Sequence, residues 1–212
     1  MTIYTPFFDP NRCLEEAKSC RVQVRGSCFP AHICGRFKAM CAYIRMILCA
    51  IWVLLFAGRF NYYILDQVSF PIPLLRCRNR NVLFYCHYPD KLLSTNRASF
   101  LKRAYRYVLD FVEEATTGMA RTILVNSKFT QNIFTQSFPL IKKWYPTYEA
   151  PEILYPAINE SKYILSKDAG TIENLLKRND LYSSEGKTTM ILTSLNRYER
   201  KKNINLALES FA

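Results

Sequence analysis

Short apolar runs alternate with longer amphipathic segments along most of the chain. Residues that favour β-strands are concentrated in runs at 2–5, 21–24, 62–65, 81–86, 122–125, 152–155 and 188–193. Helical patterns fall between these runs, at 40–57, 99–118, 127–136 and 201–212. An alternation of strands with helices predicts an α/β fold built on a largely parallel sheet.

The most hydrophobic segment is 40–57. Its uninterrupted apolar part runs from Met46 to Ala57 and is shorter than the roughly 20 residues that a membrane-spanning helix needs. Because Arg45 divides the longer segment, we favour a buried or interfacial helix over a spanning one. Arg36 and Lys38 precede the helix, where they could meet anionic lipid headgroups, although packing on the sheet explains the segment equally well.

The helix predicted at 99–118 is amphipathic. Its apolar residues recur at spacings of three and four, at Phe100, Ala104, Val108, Phe111, Val112 and Ala115. Its charges run against the helix dipole, with Lys102, Arg103 and Arg106 near the start and Glu113 and Glu114 near the end. This reversed order suggests that the basic end serves a partner.

Glycine and proline are predicted to limit several elements. Gly118 is a plausible stop for the helix at 99–118. The segment Pro71-Ile72-Pro73 is expected to interrupt any regular structure. Asn126 or Ser127 can cap the helix that follows, and Pro139 is expected to end it.

The composition indicates a globular chain with an anionic partner. Half of the residues are apolar and 14% are aromatic, which excludes an intrinsically disordered protein. The net charge of +12 favours a phosphate-bearing substrate, an anionic lipid or a nucleic acid, and a merely solvated basic face is the plain alternative. The signatures of P-loop, zinc-protease, serine-hydrolase and dinucleotide-binding enzymes are not found.

The eight cysteines are predicted to be reduced and to face the cytosol, because no signal peptide precedes them. Cys28, His32 and Cys34 could form the corner of a metal site. Their spacing fits no standard zinc module and a fourth ligand is missing, so no bound metal is expected.

Polar side chains follow several of the predicted strands. In parallel sheets, ligands bind beyond the carboxyl ends of the strands, and His87, Asp66, Asn126 and Asn196 all occur where a predicted strand stops. The sequence His87-Tyr88-Pro89-Asp90 places an imidazole and a carboxylate just past a buried strand. Such an imidazole can donate a hydrogen bond to a sugar hydroxyl, or it can be an ordinary turn histidine with a backbone partner.

A second cluster of functional residues is basic and lies at 196–203, between a predicted strand and a predicted helix. Its cations are Arg197, Arg200, Lys201 and Lys202. Cations at a helix N-terminus suit an anion, and they could stabilise a departing diphosphate without a metal. Composition alone favours a solvent-facing or nucleic-acid-binding turn at this place.

Several of these motifs together resemble one enzyme family. The matching runs are VLFYCHYPD (82–90), LKRAYRYVLDFVEEATTGMARTILVNSKFT (101–130), ILYPAIN (153–159) and LNRYERKKNINLALE (195–209), with a weaker match over 2–16. They are similar to the α-1,3/1,6-mannosyltransferases of asparagine-linked glycosylation, in glycosyltransferase family 4. The similarity extends over most of the chain and is poorest at 17–40 and 160–187.

The resemblance implies a GT-B architecture of two Rossmann-like domains. Residues 1–156 would form the acceptor-side domain, 157–186 a linker and 187–212 the start of the nucleotide-sugar-binding domain. The family is a retaining hexosyltransferase that uses GDP-mannose without a metal cofactor. It adds α-1,3- and α-1,6-linked mannose to a dolichol-diphosphate-linked oligosaccharide at the cytosolic face of the endoplasmic reticulum membrane.

Motif by motif, the resemblance also implies roles for single residues. His87 would be the catalytic residue near the transferred sugar or the acceptor, and Arg197 and Lys202 would bind the diphosphate of the donor. Asp90, Asn126 and Ser127 would contact the acceptor or a phosphate. The helix at 40–57 would seat the enzyme on the membrane, and other transferases of the pathway would be partners, with no nucleic acid bound.

The chain also departs from the family pattern. The first strand and the glycine-rich loop that precede residue 2 in the family are missing, and the paired-glutamate motif of the second domain is missing after Ala212. We therefore expect an incomplete form with little or no activity alone. The alternatives are another GT-B mannosyltransferase of the pathway that adds α-1,2-mannose, a non-catalytic membrane-associated scaffold and, third, a basic nucleic-acid binder. The runs TTGMA and NRYERKKN favour the α-1,3/1,6 enzyme.

Overall fold

The computed structural model describes residues 1–13, 15–93, 100–157 and 202–210. The chain divides into two compact units, 1–157 and 158–212. The predicted strand at 188–193 and almost all of the predicted linker at 157–186 lie outside the described residues. The described residues therefore belong to the first unit, apart from one helix of the second.

All strands of the described chain pair in parallel. Strands β1 (Thr2–Thr5) and β2 (Arg21–Val24) form a two-stranded sheet. A second sheet contains, in spatial order, β3 (Tyr63–Asp66), β4 (Val82–Cys86), β5 (Thr122–Val125) and β6 (Glu152–Ile153). The α/β class with parallel sheets is thus confirmed.

Helices separate the strands along the chain. They are α1 (Glu15–Lys18), α2 (Lys38–Phe56), α3 (Ile72–Arg78), α4 (Asp90–Leu93), α5 (Phe100–Thr117), α6 (Lys128–Ser137), α7 (Pro139–Trp144) and, in the second unit, α8 (Ile204–Glu209). One expectation drawn from proline was wrong, because Pro71-Ile72-Pro73 begins α3 instead of interrupting regular structure. The other was confirmed, because α6 ends at Ser137, directly before Pro139, which then begins the separate helix α7. Proline is tolerated in the first turn of a helix, where its missing N–H would have no intrahelical acceptor.

The hydrophobic core covers one face of the larger sheet. Alternate residues of β3, β4 and β5 are buried, namely Tyr63, Leu65, Val82, Phe84, Cys86, Ile123 and Val125. They cluster with buried residues of α2, α3, α6 and α7 and of the link between α6 and α7, namely Ala50, Val53, Ile72, Leu75, Phe134, Phe138 and Ile141. The intervening Ile64 is 68% exposed, so the period-two pattern of β3 separates a covered face from an open one.

The most hydrophobic helix, α2, is partly packed within the protein. It is long and apolar enough to cross a membrane by length and composition. Along one side, however, Cys41, Tyr43, Cys49, Ala50 and Val53 are buried. One side of α2 is thus packed in the protein, and the expectation of a buried or interfacial helix instead of a spanning one stays a prediction.

The backbone of α2 is approached closely by the loop that follows β2. Gly26 lies in this loop with a φ of 81°, and a Cβ atom there would collide with the carbonyl oxygen of Arg45 in α2. Only glycine fits this close approach without strain.

The orientation of α5 is the opposite of what its pattern suggests. An apolar stripe ordinarily packs toward the core. Here Phe100, Ala104, Val108 and Phe111 are exposed. The buried side chains of α5 are polar and comprise Arg106, Glu113, Glu114, Thr116 and Thr117.

Ion pairs and hydrogen bonds hold this polar face in place. The Nη2 atom of Arg106 lies 2.8 Å from Asp110 Oδ1 and 3.2 Å from Asp90 Oδ2. The carboxylate of Glu113 accepts the backbone N–H groups of Asp90 and Lys91, at 2.8 and 3.0 Å. Because α4 begins at Asp90, Glu113 caps the start of α4 from another element.

A second carboxylate of α5 has a comparable set of partners. Glu114 lies 3.3 Å from the Nζ atom of Lys91 and accepts the backbone N–H of Leu140, at the start of α7, at 2.5 Å. Gly118 follows the helix, as expected of a stop, and its lack of a Cβ atom leaves room for the ring of Tyr145. The polar face of α5 therefore connects α4 with α7.

Stability is predicted to depend on pH through Glu113. Burial raises the pKa of this carboxyl from 4.5 to about 7, against the opposing effect of the N–H donors of Asp90 and Lys91. Between pH 4.5 and about 7, Glu113 is therefore protonated in the folded chain and ionised in the unfolded chain. We expect the free energy of unfolding to fall as pH rises through this window, by at most about 3 kcal/mol.

The measurement is urea unfolding at about pH 5 and about pH 8. Glu113→Gln should remove this fall, because a glutamine does not titrate. Glu149→Gln, at an exposed glutamate of the same unit, is the matched control and should keep it. Equal pH dependence in the wild type and in Glu113→Gln would contradict the prediction.

Candidate active site at the carboxyl edge of the sheet

The carboxyl ends of the parallel strands carry polar side chains at one edge of the larger sheet. Asp66 is the last residue of β3, His87 directly follows β4, and Asn126 directly follows β5. Parallel pairing brings the ends of β3, β4 and β5 to the same edge. Three of the strand-end residues singled out in the sequence are thus neighbours.

The imidazole of His87 is held by the neighbouring strand. Its Nε2 atom lies 2.9 Å from Asp66 Oδ1, and 49% of the histidine side chain is exposed. The ring also meets the ring of Tyr85 edge-on, with centroids 4.8 Å apart. Because Asp66 occupies Nε2, Nδ1 is the ring nitrogen through which His87 can contact another molecule.

The backbone around His87 is held from both sides. The N–H of His87 donates to Gln67 Oε1 at 3.2 Å, and Gln67 Nε2 donates to the carbonyl of Tyr88 at 2.7 Å. From β5, Asn126 Nδ2 donates to the carbonyl of His87 at 3.1 Å. Hydrogen bonds from both adjacent strand ends fix this turn and thereby the position of the imidazole.

Ser127 and Asn126 start α6 as the sequence suggested. Ser127 is the N-cap residue, and its Oγ atom accepts the backbone N–H of Thr130 at 3.2 Å. Asn126 Oδ1 accepts from the hydroxyl of Thr130 at 2.6 Å. Both side chains are engaged within the protein, and contacts from them to a phosphate or an acceptor stay a prediction.

Asp90 joins the polar cluster at α5 rather than the strand-end group. Its carboxylate accepts a hydrogen bond from the hydroxyl of Tyr43 and lies 3.2 Å from Arg106. Burial raises the pKa of Tyr43, and the hydrogen bond to Asp90 adds to this effect. Burial acts against the charged form of Arg106, but Asp110 and Asp90 outweigh it and raise its pKa. A role of Asp90 at the acceptor stays a prediction.

The two predicted donor-binding cations lie toward the end of the chain. Arg197 lies outside the described residues, as does Asn196. Lys202 is described and exposed, and it precedes α8 by two positions. Among the described residues, no group of three or more His, Cys, Asp or Glu side chains is arranged to hold a metal ion.

Sequence reasoning missed two residues that build the site. Gln67 follows Asp66 directly, so its place at the end of a predicted strand was a usable signal. Glu113 supports the residues just after His87 by accepting the N–H groups of Asp90 and Lys91. Nothing in the local pattern around Glu113 indicates this contact, because its partners lie more than twenty positions away.

Known proteins resemble this chain over its whole length. It is 42% identical over 217 residues to the α-1,3/1,6-mannosyltransferase ALG2 of Dictyostelium discoideum, a match that covers 100% of the chain and 50% of that protein. The corresponding protein of Homo sapiens is 43% identical over 213 residues, with 98% of the chain and 48% of that protein covered. The Kluyveromyces lactis protein is 40% identical over 220 residues, with 100% and 40% covered.

No family model matches the chain, and no solved structure matches it significantly. The chain spans about half the length of the curated relatives it matches. The resemblance drawn from the sequence motifs is confirmed: along its entire length this chain is similar to α-1,3/1,6-mannosyltransferases.

Proposed function

We propose that this chain is part of a glycosyltransferase that moves mannose from GDP-mannose to a dolichol-diphosphate-linked oligosaccharide, forming α-1,3 and α-1,6 linkages. The observation that carries the proposal is the identity of 42–43% to named α-1,3/1,6-mannosyltransferases across at least 98% of the chain. Identity at this level over a whole Rossmann-like unit favours the α-1,3/1,6 enzyme over an α-1,2-mannosyltransferase or a scaffold.

The proposed architecture is GT-B, with the first unit as the acceptor-side domain. Within the described chain, β1 pairs only with β2, and β3 has β4 as its only neighbour. The Tyr4 ring of β1 lies 6.1 Å from the Phe60 ring, which in turn lies 5.9 Å from the Tyr63 ring of β3. The unpaired edge of β1 and the unpaired edge of β3 are thus connected through the side chain of Phe60. This arrangement supports a further strand between β1 and β3, which would join both sheets into one.

In the proposed site, His87 binds a hydroxyl of the transferred mannose or of the acceptor. Asp66 holds Nε2 and stabilises the imidazole, while Gln67 and Asn126 hold its backbone. A side chain positioned in this way is already ordered before substrate binds, so substrate binding does not have to order it. His87 would therefore act as the positioned polar group of the acceptor-side domain.

Arg197 and Lys202 are assigned the role of stabilising the negative charge that develops on the leaving GDP. Arginine can hold a phosphate with two parallel hydrogen bonds, and lysine adds a point charge. Fixed cations at this place would stabilise the leaving diphosphate without a metal ion. The proposal places this chemistry at the cytosolic face of the endoplasmic reticulum membrane, where a lipid-linked acceptor is embedded.

The 212-residue chain alone is expected to transfer little or no mannose, since it spans about half of its relatives. The assay uses labelled GDP-mannose and a dolichol-diphosphate-linked oligosaccharide, with the Dictyostelium discoideum relative as the positive control. A chimera in which this chain replaces the matching half of that relative should restore transfer. Turnover by the chain alone at the rate of the relative would contradict the expectation of inactivity, and an inactive but folded chimera would contradict the proposed function.

In that chimera, His87→Ala should lower transfer by about 100-fold or more, on the scale of losing a positioned acid–base group. Asp66→Asn should lower it less, because the imidazole remains but loses its carboxylate partner. His32→Ala is the matched control, since His32 is the only other histidine and lies exposed in the loop between β2 and α2. Equal losses for His87→Ala and His32→Ala would remove His87 from the site.

Arg197→Ala in the same chimera should lower transfer by about 100- to 1,000-fold, the scale of removing one transition-state contact to a charged group. Arg197→Lys should recover only part of this loss, because lysine cannot bind a phosphate through two parallel bonds. The measurement is the kcat and KM for GDP-mannose, and unchanged values would exclude Arg197 from donor binding.

A further inference from the structure

The outward face of α5 is an exposed apolar surface on a helix whose other side is fixed. Phe100, Leu101, Tyr107, Val108 and Phe111 are between 46% and 79% exposed. A contiguous apolar patch of this kind on a protein surface marks a site of interaction. Isolated exposed apolar residues would need no such explanation, but these five lie within three turns of one helix.

The helix cannot bury this face by rotating. Its inner side holds Arg106 against Asp90 and Asp110, and it holds Glu113 against the start of α4. Turning the apolar side inward would separate these pairs and leave charged groups buried without their partners, which is strongly unfavourable. The apolar face is therefore directed outward by the packing of the protein itself.

Neighbouring elements add exposed apolar side chains close to α5. Helix α4 contacts α5 and ends in Leu92 and Leu93, which are exposed. At the other side, the Tyr105 hydroxyl accepts the backbone N–H of Met40, and the Tyr105 ring meets Phe37 with centroids 5.6 Å apart. The start of α2 thus adjoins the first turns of α5.

Exposed cations occur in the first turn of α5 and around the start of α2. Lys102 and Arg103 are exposed on the first turn of α5. Arg36 and Lys38, just before and at the start of α2, are exposed as well. The structure therefore explains the reversed charge order of α5. Arg106 forms ion pairs within the protein, whereas the exposed Lys102 and Arg103 can contact a partner.

We propose that the outward face of α5, with the end of α4 and the cations at 36, 38, 102 and 103, is the surface by which the protein binds an anionic lipid bilayer. Aromatic and aliphatic side chains would enter the boundary between headgroups and acyl chains, and the cations would meet lipid phosphates. The cationic rim favours a bilayer over a second copy of this chain, because like charges would then face each other across the interface.

The inference rests on the proposed function only in that a lipid-linked acceptor lies in a bilayer. It differs from the membrane contact expected of α2, because one side of α2 is buried in the protein, whereas the apolar side of α5 stays largely exposed and meets the described chain mainly where the Phe111 ring contacts Trp144. Vesicle binding is measured without donor or acceptor, so its failure is distinct from a failure of mannose transfer.

The experiment is flotation of the 212-residue chain with phosphatidylcholine vesicles that contain phosphatidylserine. Leu101→Glu with Val108→Glu should lower the partition coefficient at least about tenfold. The matched control is Phe129→Glu with Leu208→Glu, two helical positions that are 65% and 66% exposed against 77% and 59% for the test pair. Both variants change the net charge equally, and the control should bind almost as the wild type does.

A second variant tests the cationic rim. Lys102→Gln with Arg103→Gln should lower binding to the phosphatidylserine vesicles about tenfold or more and should leave the weak binding to pure phosphatidylcholine unchanged. Binding by the Leu101→Glu, Val108→Glu variant that equals the control would overturn the proposal. So would a dimer in light scattering that this variant dissociates while vesicle binding persists, since the face would then join two copies. If the Tm of the Leu101→Glu, Val108→Glu variant fell well below that of the control variant, the proposal would also be overturned, because another part of the chain would then cover the face.

Discussion

The buried polar contacts between α5 and α4 determine how α5 is oriented in the first unit. Arg106 is buried and lies between two carboxylates, and Glu113 accepts the first backbone N–H groups of α4. Charges removed from water are stable only while their partners stay in place, so these contacts allow one rotation of α5. The same rotation that satisfies the inner side leaves the apolar side facing outward.

The site at the sheet edge depends on these contacts through a short stretch of chain. His87 is held by Gln67 and Asn126 at the strand ends, and three residues later the chain enters α4, which Glu113 holds in place. The imidazole therefore sits on a turn that is fixed at both ends. Because Glu113 titrates near neutral pH, the support of this turn is itself sensitive to protonation, whereas the side-chain amides of Gln67 and Asn126 do not titrate.

The sheet and much of the site could be predicted because their signals are local. The runs that became β1, β2 and β5 match the strands residue for residue, and the strand-end rule brought Asp66, His87 and Asn126 to one edge. The starts of α3 and α7 at prolines and the orientation of α5 could not be predicted in this way. An amphipathic pattern identifies which face is apolar but not what covers it, and the pairing of Tyr43 with Asp90 joins positions 47 residues apart.

Helices α2 and α5 both carry a row of apolar side chains, but hydropathy does not predict which row is covered by the protein. Helix α2 has the stronger apolar signal, yet it packs on β1 and α3, and residues such as Cys41 and Val53 are buried in the protein. Helix α5 has the weaker signal but carries the exposed face. Since α4 starts three residues after His87 and ends in the exposed Leu92 and Leu93, the outward surface and the imidazole are joined by a single short segment. Under the proposed function, a lipid-linked acceptor would therefore meet a bilayer-binding surface and a strand-end site that one short segment of chain connects.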